Sequence, residues 1–319
     1  MNQQIVVTDN QSAINNQHLA VRAVNGQALF DALLSAKKAT TRRAYLQDLK
    51  AFADWIGEDG PGQALEAFLD LAPGEHNERA LAYQRALVDA DYAPATINRR
   101  LASLSSAVKT ARILGYTDKR VEIPPVKSQS YRDTAGPGRP AFDRMLSIAG
   151  QQSAIKSARD TAILRVMLGM ALRRSEVVGL SLADFDESGD RPALWVLRKG
   201  KNERERRSMG PQAAQALFDW LVHRGDGQGA LFTSLHRGHI GQPLTDDGLY
   251  HLIKSIGKKA GVDTRPHGLR HLSITEALDR TDGDVRKVQQ HSGHADLNTI
   301  QRYDDNRRDL AGDVAELVE

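Results

Sequence analysis

Between Gly26 and Gly115 the apolar positions recur at the period of an α-helix. Thr40 or Thr41 can cap a helix running to about Trp55, in which Tyr45, Leu49, Phe52 and Ile56 share one face. Arg43, Gln47 and Lys50 fall on the opposite face. A second helix is predicted over about Asn77–Asp89. A third starts after Pro94, with Ile97, Leu101, Leu104 and Val108 inward and Arg99, Ser103, Ser106 and Thr110 outward. Small hydroxyls around an arginine would let that outer face approach a phosphate backbone; an ordinary solvated bundle face is the alternative. Residues 116–138 break the pattern with Pro124-Pro125, Gly136, Pro137 and Gly138, which argues for an extended linker.

Beyond Arg139 the spacing predicts helices at about 140–150, 157–170 and 174–181. Ala193-Leu194-Trp195-Val196-Leu197 has β character, followed by a charged turn and a return strand through Arg206 to Met209. Pro211 fits the first turn of a helix to about His223. Ala230-Leu231-Phe232 reads as a short strand or loop. Further helices are predicted at about 245–260, 268–280, 283–291, 297–302 and from Asp309 to Val318. The fold class is therefore mainly α with a small antiparallel β-sheet in the second domain. The division is a flexible tail (1–25), a helical domain (26–115), the linker (116–138) and a second domain (139–319).

Composition narrows the chemistry. The chain has 319 residues, long enough for two cores, and a net charge of only +3. It has no cysteine, which removes disulfides, thiolate catalysis and cysteine-ligated zinc. The polar start, Met1 to Asn25, lacks the apolar core of a signal peptide. The most apolar run, Ala162 to Leu172, is interrupted by Arg165 and falls short of the ~20 residues a membrane span needs. A cytoplasmic protein that does not engage a membrane is expected. Charge is concentrated locally at Arg198, Lys199, Lys201, Arg204, Arg206 and Arg207, a patch that can attract a polyanion or be a solvated face.

Several residues could carry chemistry. In Leu172-Arg173-Arg174-Ser175-Glu176, Arg173 joins two helices with Glu176 three residues on, as an internal ion pair or as a phosphate clamp steadied by the carboxylate. Lys199 sits in the turn after a strand, where it can reach a groove or be an ordinary loop lysine. His267 and Arg270 share a face at the start of a helix, whose N-terminus favours anions. His267 and His271 have a spacing that metal sites also use, but Gly268 stands where the His-Glu-x-x-His motif has glutamate, so no metal is expected. His294 follows Gly293, and Tyr303 lies nine residues later, where packing alone would also explain a tyrosine.

Taken together, Arg173, Lys199, His267-x-x-Arg270, His294 and Tyr303 resemble the tyrosine recombinase (phage integrase) family in residue type, order and spacing. His267-Gly268-Leu269-Arg270-His271 looks like its His-x-x-Arg box, with His271 in support. Arg159-Asp160-Thr161-Ala162-Ile163-Leu164 leading to Leu172-Arg173-Arg174-Ser175-Glu176 looks like its first arginine box. In the first domain, Thr41-x-x-x-Tyr45-x-x-Asp48-Leu49-x-x-Phe52 and Thr96-Ile97-Asn98-Arg99-Arg100-Leu101 are similar to its core-binding domain. The resemblance covers about residues 27–319. Two departures stand out. Ser292-Gly293-His294 replaces the common Leu-Gly-His, and Arg198 replaces the first glycine of the common Gly-Lys-Gly turn, leaving Lys199 as the proton donor and Lys201 beside it.

The resemblance implies an all-α, SAM-like core-binding domain and a mixed α+β catalytic domain that clamp double-stranded DNA. It implies a site-specific recombinase of the two-domain Xer/Cre type that needs no cofactor. Arg173 and Arg270 would stabilise the charge that builds on an attacked phosphodiester. His267 and His294 would assist, Lys199 would protonate the leaving 5′ oxygen, and Tyr303 would form a 3′-phosphotyrosyl link. Strand exchange implies a tetramer on two DNA sites, with the C-terminal helix (Leu310, Val314, Leu317) docked on a neighbouring protomer. The short tail suggests no further arm-binding domain. DNA contacts are expected from Arg43, Gln47, Lys50, Arg99, Ser103 and Ser106. Other readings are a type IB topoisomerase or telomere resolvase, a non-catalytic DNA-binding regulator, and a metallohydrolase using His267, His271, His291 and His294.

Overall fold

In the computed structural model, residues 23–72, 74–127, 136–301, 315 and 318 are described. The chain divides into two compact units, Met1–Ser130 and Tyr131–Glu319.

The first unit is helical: α1 (Gly26–Ser35), α2 (Ala39–Ile56), α3 (Pro61–Asp70), α4 (Glu75–Asp89) and α5 (Pro94–Ile113). α1 and α3 are additions to the three helices that periodicity delimits. Asn25 caps α1 by accepting from the Ala28 N–H at 2.8 Å. α1 and α3 meet backbone to backbone at Gly26, where a Cβ would lie 2.0 Å from the Gly62 carbonyl oxygen. Leu29, Leu33, Leu49, Phe52, Leu65, Phe68, Tyr83, Ile97, Leu104 and Val108 fill the core. The apolar faces predicted for α2 and α5 are the faces that pack.

Ser103 is a correction. It was expected outward and is fully buried, 0% exposed, because the packed stripe of α5 is wide enough to include Ala107 and Ala111 on its flank. Its hydroxyl donates to the Arg100 carbonyl at 2.7 Å, so burial leaves no polar group unsatisfied.

Tyr116 to Lys127 form neither helix nor strand, in keeping with the proline-rich sequence. They are nonetheless pinned along the first unit. Asn98 exchanges two hydrogen bonds with Val126, both 2.9 Å, and Gln84 donates to the Pro124 carbonyl at 2.8 Å. Tyr116 is buried, and Val121, Ile123 and Val126 pack on the core.

The second unit contains α6 (Arg139–Gly150), α7 (Ala154–Gly169), α8 (Arg174–Val178), β1 (Phe185–Asp186), β2 (Ala193–Leu197), β3 (Arg204–Ser208), α9 (Pro211–Arg224), α10 (Asp246–Lys259), α11 (Pro266–Arg280), α12 (Val285–Ser292) and α13 (Asn298–Gln301). The sheet is antiparallel in the order β1-β2-β3, with Trp195 opposite Arg206. The two-residue β1 has no periodicity to announce it. α7 supplies the centre of the core through Ala162, Ile163, Leu164, Val166 and Met167. α11 is buried on nearly every side, from Gly268 to Thr275. Among the described residues no helix is long and apolar enough to cross a membrane.

Candidate active site

After α7 the chain turns sharply through Ala171, whose φ of 50° lies in the left-handed region that ordinary side chains avoid. The elbow delivers Arg173 as the N-cap of α8. Glu176, at the third helical position, reaches back: its carboxylate accepts from the Arg173 N–H at 2.9 Å and from the Arg173 guanidinium at 2.8 Å. Glu176 is only 3% exposed. Burial pushes its pKa up, but the hydrogen bonds from Arg173 and from the Lys199 backbone outweigh burial and leave it below the usual carboxylate range.

The same carboxylate accepts from the Lys199 N–H at 3.3 Å, which ties the β2–β3 turn to the Arg173 elbow. That turn is closed by the Lys201 N–H on the Arg198 carbonyl at 3.0 Å, and Gly200, at φ 89°, takes the position that requires a left-handed residue. The side chains of Lys199 and Lys201 are exposed, and among the described residues neither makes an ion pair. The neighbouring arginines are engaged. Arg204 pairs with Asp184 at 2.9 Å and Arg206 with Asp186 at 2.6 Å. The basic run is thus mostly internal pairing, with the two lysines left facing solvent.

α11 opens with Pro266 at its first position and presents His267 and Arg270 one turn apart. Arg270 is 2% exposed. Its guanidinium donates to the Ala171 carbonyl, to the Ser292 carbonyl at 2.8 Å and toward His294 Nε2 at 3.0 Å. An arginine can only donate, so His294 Nε2 accepts. Nδ1 then carries the proton and donates to Ser292 Oγ at 2.9 Å. The pKa of His294 is pushed down to about 4, first by burial and then by Arg270, Arg173, Arg198 and His267. His267 keeps part of its surface in solvent. Its pKa is also lowered, by lost hydration and by Arg270, Arg265 and Arg173. Both imidazoles are therefore neutral near pH 7.

Arg173, Glu176, Lys199, His267, Arg270 and His294 thus converge from four separate elements. His271 does not join them. It is buried, and its Nδ1 lies 3.3 Å from both the Gly136 N–H and Thr275 Oγ1, so it secures the Gly136 loop. His291 meets Ser273 Oγ at 3.0 Å. The rings of His271, His291 and His294 point to separate partners, and among the described residues no group of three or more metal-binding side chains forms. Tyr303 and the Leu310, Val314 and Leu317 stripe lie outside the described residues. Ile300, three residues before Tyr303, is buried against Ala171, Ile274, Leu278 and Val288.

Two residues of the basic run, Arg198 and Arg207, do not lie on the surface where the patch reading puts them. Arg198 is buried and Arg207 half-buried, and both donate to carbonyls in the last turn of α12. Strand alternation could have flagged Arg198, since it follows Leu194 and Val196 on the inward phase. On the first unit, Arg43, Gln47 and Lys50 are exposed on α2, and Ser106 is partly exposed on α5. Arg99 is already paired with the buried Asp48 at 2.5 Å.

The phage integrase family model matches residues 142–309, more than half of the chain. The chain belongs to the phage integrase family. A tyrosine recombinase of Synechococcus elongatus is 42% identical to this recombinase over 287 residues, spanning 88% of this chain and 89% of the relative. The fold is that of the Tn1549 transposon integrase, solved in complex with transposon right-end DNA. It aligns at a TM-score of 0.69 and 15% identity, covering 92% of this chain and 100% of that one. A lambda integrase tetramer bound to a Holliday junction aligns at 0.66 and 16% identity, covering 90% and 80%. This family member is accordingly an enzyme of site-specific DNA recombination.

Proposed function

We propose that this recombinase cleaves and rejoins DNA through a 3′-phosphotyrosyl intermediate on Tyr303, as a tetramer on two sites. The observation that carries the reading is the convergence of two guanidiniums, two neutral imidazoles and the Lys199 turn on one place. Attack on a phosphodiester adds negative charge to the non-bridging oxygens. Preorganised cations at Arg173 and Arg270 favour that charge without reorganising. The Tyr303 oxygen bonds to phosphorus as the bond to the 5′ oxygen breaks. The neutral imidazole of His267 can take the phenolic proton, and Lys199 can protonate the departing oxygen. The burial of Ile300 beside the Ala171 elbow anchors the chain just ahead of Tyr303 near that cluster. Because the phosphotyrosyl link keeps the phosphodiester's energy, the 5′ hydroxyl can reverse the step without ATP.

The lambda integrase tetramer on a Holliday junction supports the tetrameric reading. In such a tetramer the C-terminal segment carrying Leu310, Val314 and Leu317 would dock on a neighbouring protomer. On this reading the partner is duplex DNA, and the protein would act in the cytoplasm beside the nucleoid. Arg43, Gln47 and Lys50 offer the exposed phosphate contacts of the first unit, and Ser106 is a weaker one. Arg99 contributes what charge Asp48 leaves to it. Alanine at both Arg43 and Lys50 is expected to lower the slope of log affinity against log salt by about two. Titration in a salt series checks this, and an unchanged slope removes both from the interface.

The test of the function uses a duplex selected by the protein from a randomised pool and nicked to trap the product. In the presence of chelator a covalent adduct should form, and peptide mapping should place it on Tyr303. An adduct elsewhere, or cleavage that requires metal, overturns the reading. Enrichment of no sequence, with relaxation of any supercoiled plasmid, favours a type IB topoisomerase instead.

A further inference from the structure

A helix leaves its last carbonyls without partners inside the helix. At the end of α12 those carbonyls are taken by arginines from distant parts of the chain. Arg207 donates to Gln290 and His291. Arg198 donates to Ser292 at 2.5 Å and to His291 at 3.4 Å. Arg270 shares the Ser292 carbonyl. The negative end of the helix dipole favours all three.

Arg198 differs from the other two in its place. It immediately precedes Lys199, and it is buried, with its guanidinium turned onto the α12 carbonyls. Its Nε faces Glu205 at 3.7 Å. Its guanidinium packs against Gly293, where a Cβ would fall 2.0 Å from Nη1. Gly293 is thus required twice over, by this close approach and by its φ of 64° as the C-cap of α12. The backbone of the Lys199 turn is consequently held from two sides. Its Lys199 N–H is fixed on Glu176, and its Arg198 side chain is fixed on the carbonyls just ahead of His294.

We propose that Arg198 is a positioning residue for strand cleavage, locking the Lys199 turn to the end of α12 so that the proton donor keeps a fixed spacing from the His294–Arg270 pair. The proposal rests on the reading of Lys199 as the proton donor. A guanidinium is suited to the task because its rigid planar fork reaches two adjacent carbonyls in one fixed orientation, whereas the donors of an ammonium rotate on a flexible stem.

The experiment compares single-turnover cleavage of two versions of the selected, nicked duplex. One has oxygen and the other sulfur at the 5′ bridging position of the mapped scissile phosphate. A thiol, with a pKa near ~8.5, departs without a proton donor, whereas an alcohol does not. Arg198→Met should bind the duplex as the wild type does and cleave the oxygen version about 10²-fold more slowly, the scale of a displacement of about 1 Å in a reacting group. The sulfur version should restore most of that loss, as it should for Lys199→Ala. Arg198→Lys, which keeps the charge and one carbonyl contact, should fall between Arg198→Met and wild type, and it serves as the test if the methionine variant does not fold. Equal slowing of the Arg198 variants on both substrates, with Lys199→Ala rescued by sulfur, overturns the positioning role and leaves the Lys199 reading standing. Wild-type cleavage by Arg198→Met also overturns it. Failure of sulfur to rescue Lys199→Ala removes the proton-donor reading and the proposal with it.

Discussion

Tyr303→Phe is expected to bind the selected duplex with wild-type affinity and to form no covalent adduct, with strand cleavage reduced on the order of 10⁶-fold, as when a covalent nucleophile is deleted. The substitution removes one oxygen. The groups that recognise the phosphate remain, because Arg173, Arg270 and His294 are held by Glu176, by the carbonyls of Ala171 and Ser292 and by Ser292 Oγ. Binding and chemistry should therefore separate cleanly. Filter binding together with denaturing gel analysis of the nicked duplex measures both. An adduct formed by the Phe variant at the wild-type rate would assign the nucleophile to another residue.

Arg270→Lys should damage chemistry and stability together. Removal of one preorganised donor to the developing charge costs roughly 3–4 kcal/mol in the barrier, a loss of about 10²–10³-fold in cleavage. The guanidinium also binds two carbonyls and His294 within a site that is 2% exposed. A lysine cannot reproduce this fork. The Ala171 carbonyl then loses the donor that steadies its left-handed backbone, at a cost of roughly 1–3 kcal/mol for a buried acceptor left unmade. Ser292 keeps Arg198 and suffers less. Urea unfolding of the second unit should shift to lower denaturant, and cleavage should fall even at temperatures where the variant is fully folded. A folded Lys variant with wild-type cleavage would remove Arg270 from the transition-state contacts.

Much of the helical architecture was legible because its cause is local. The inward face of α5 at Ile97, Leu101, Leu104 and Val108, the proline starts of α5 and α9, and the β2 apolar run followed by its return strand all depend on neighbours within a few residues. α1 and α3 were harder to delimit, since their meeting depends on two glycines far apart, Gly26 and Gly62. Ser103 was misplaced because a helical wheel shows which side is polar but not how wide the packed stripe becomes. The strap of residues 116–127 looked unattached because its partners, Asn98 and Gln84, lie in other helices.

For the candidate site, the sequence by itself determined the inventory: two arginines, two histidines, a lysine and a tyrosine in a recognisable order. Residue type sets charge, hydrogen-bonding capacity and nucleophilicity before any fold exists. Tertiary structure alone decided how those groups are held and in which protonation state. Glu176 gathers Arg173 and the Lys199 turn, three arginines close the end of α12, and burial among those cations lowers the pKa of His294 to about 4. The physical reason is range. Periodicity and capping act over a few residues, whereas the Arg198–Ser292 and Arg270–Ala171 contacts join residues about a hundred positions apart, and desolvation exists only once those segments have packed.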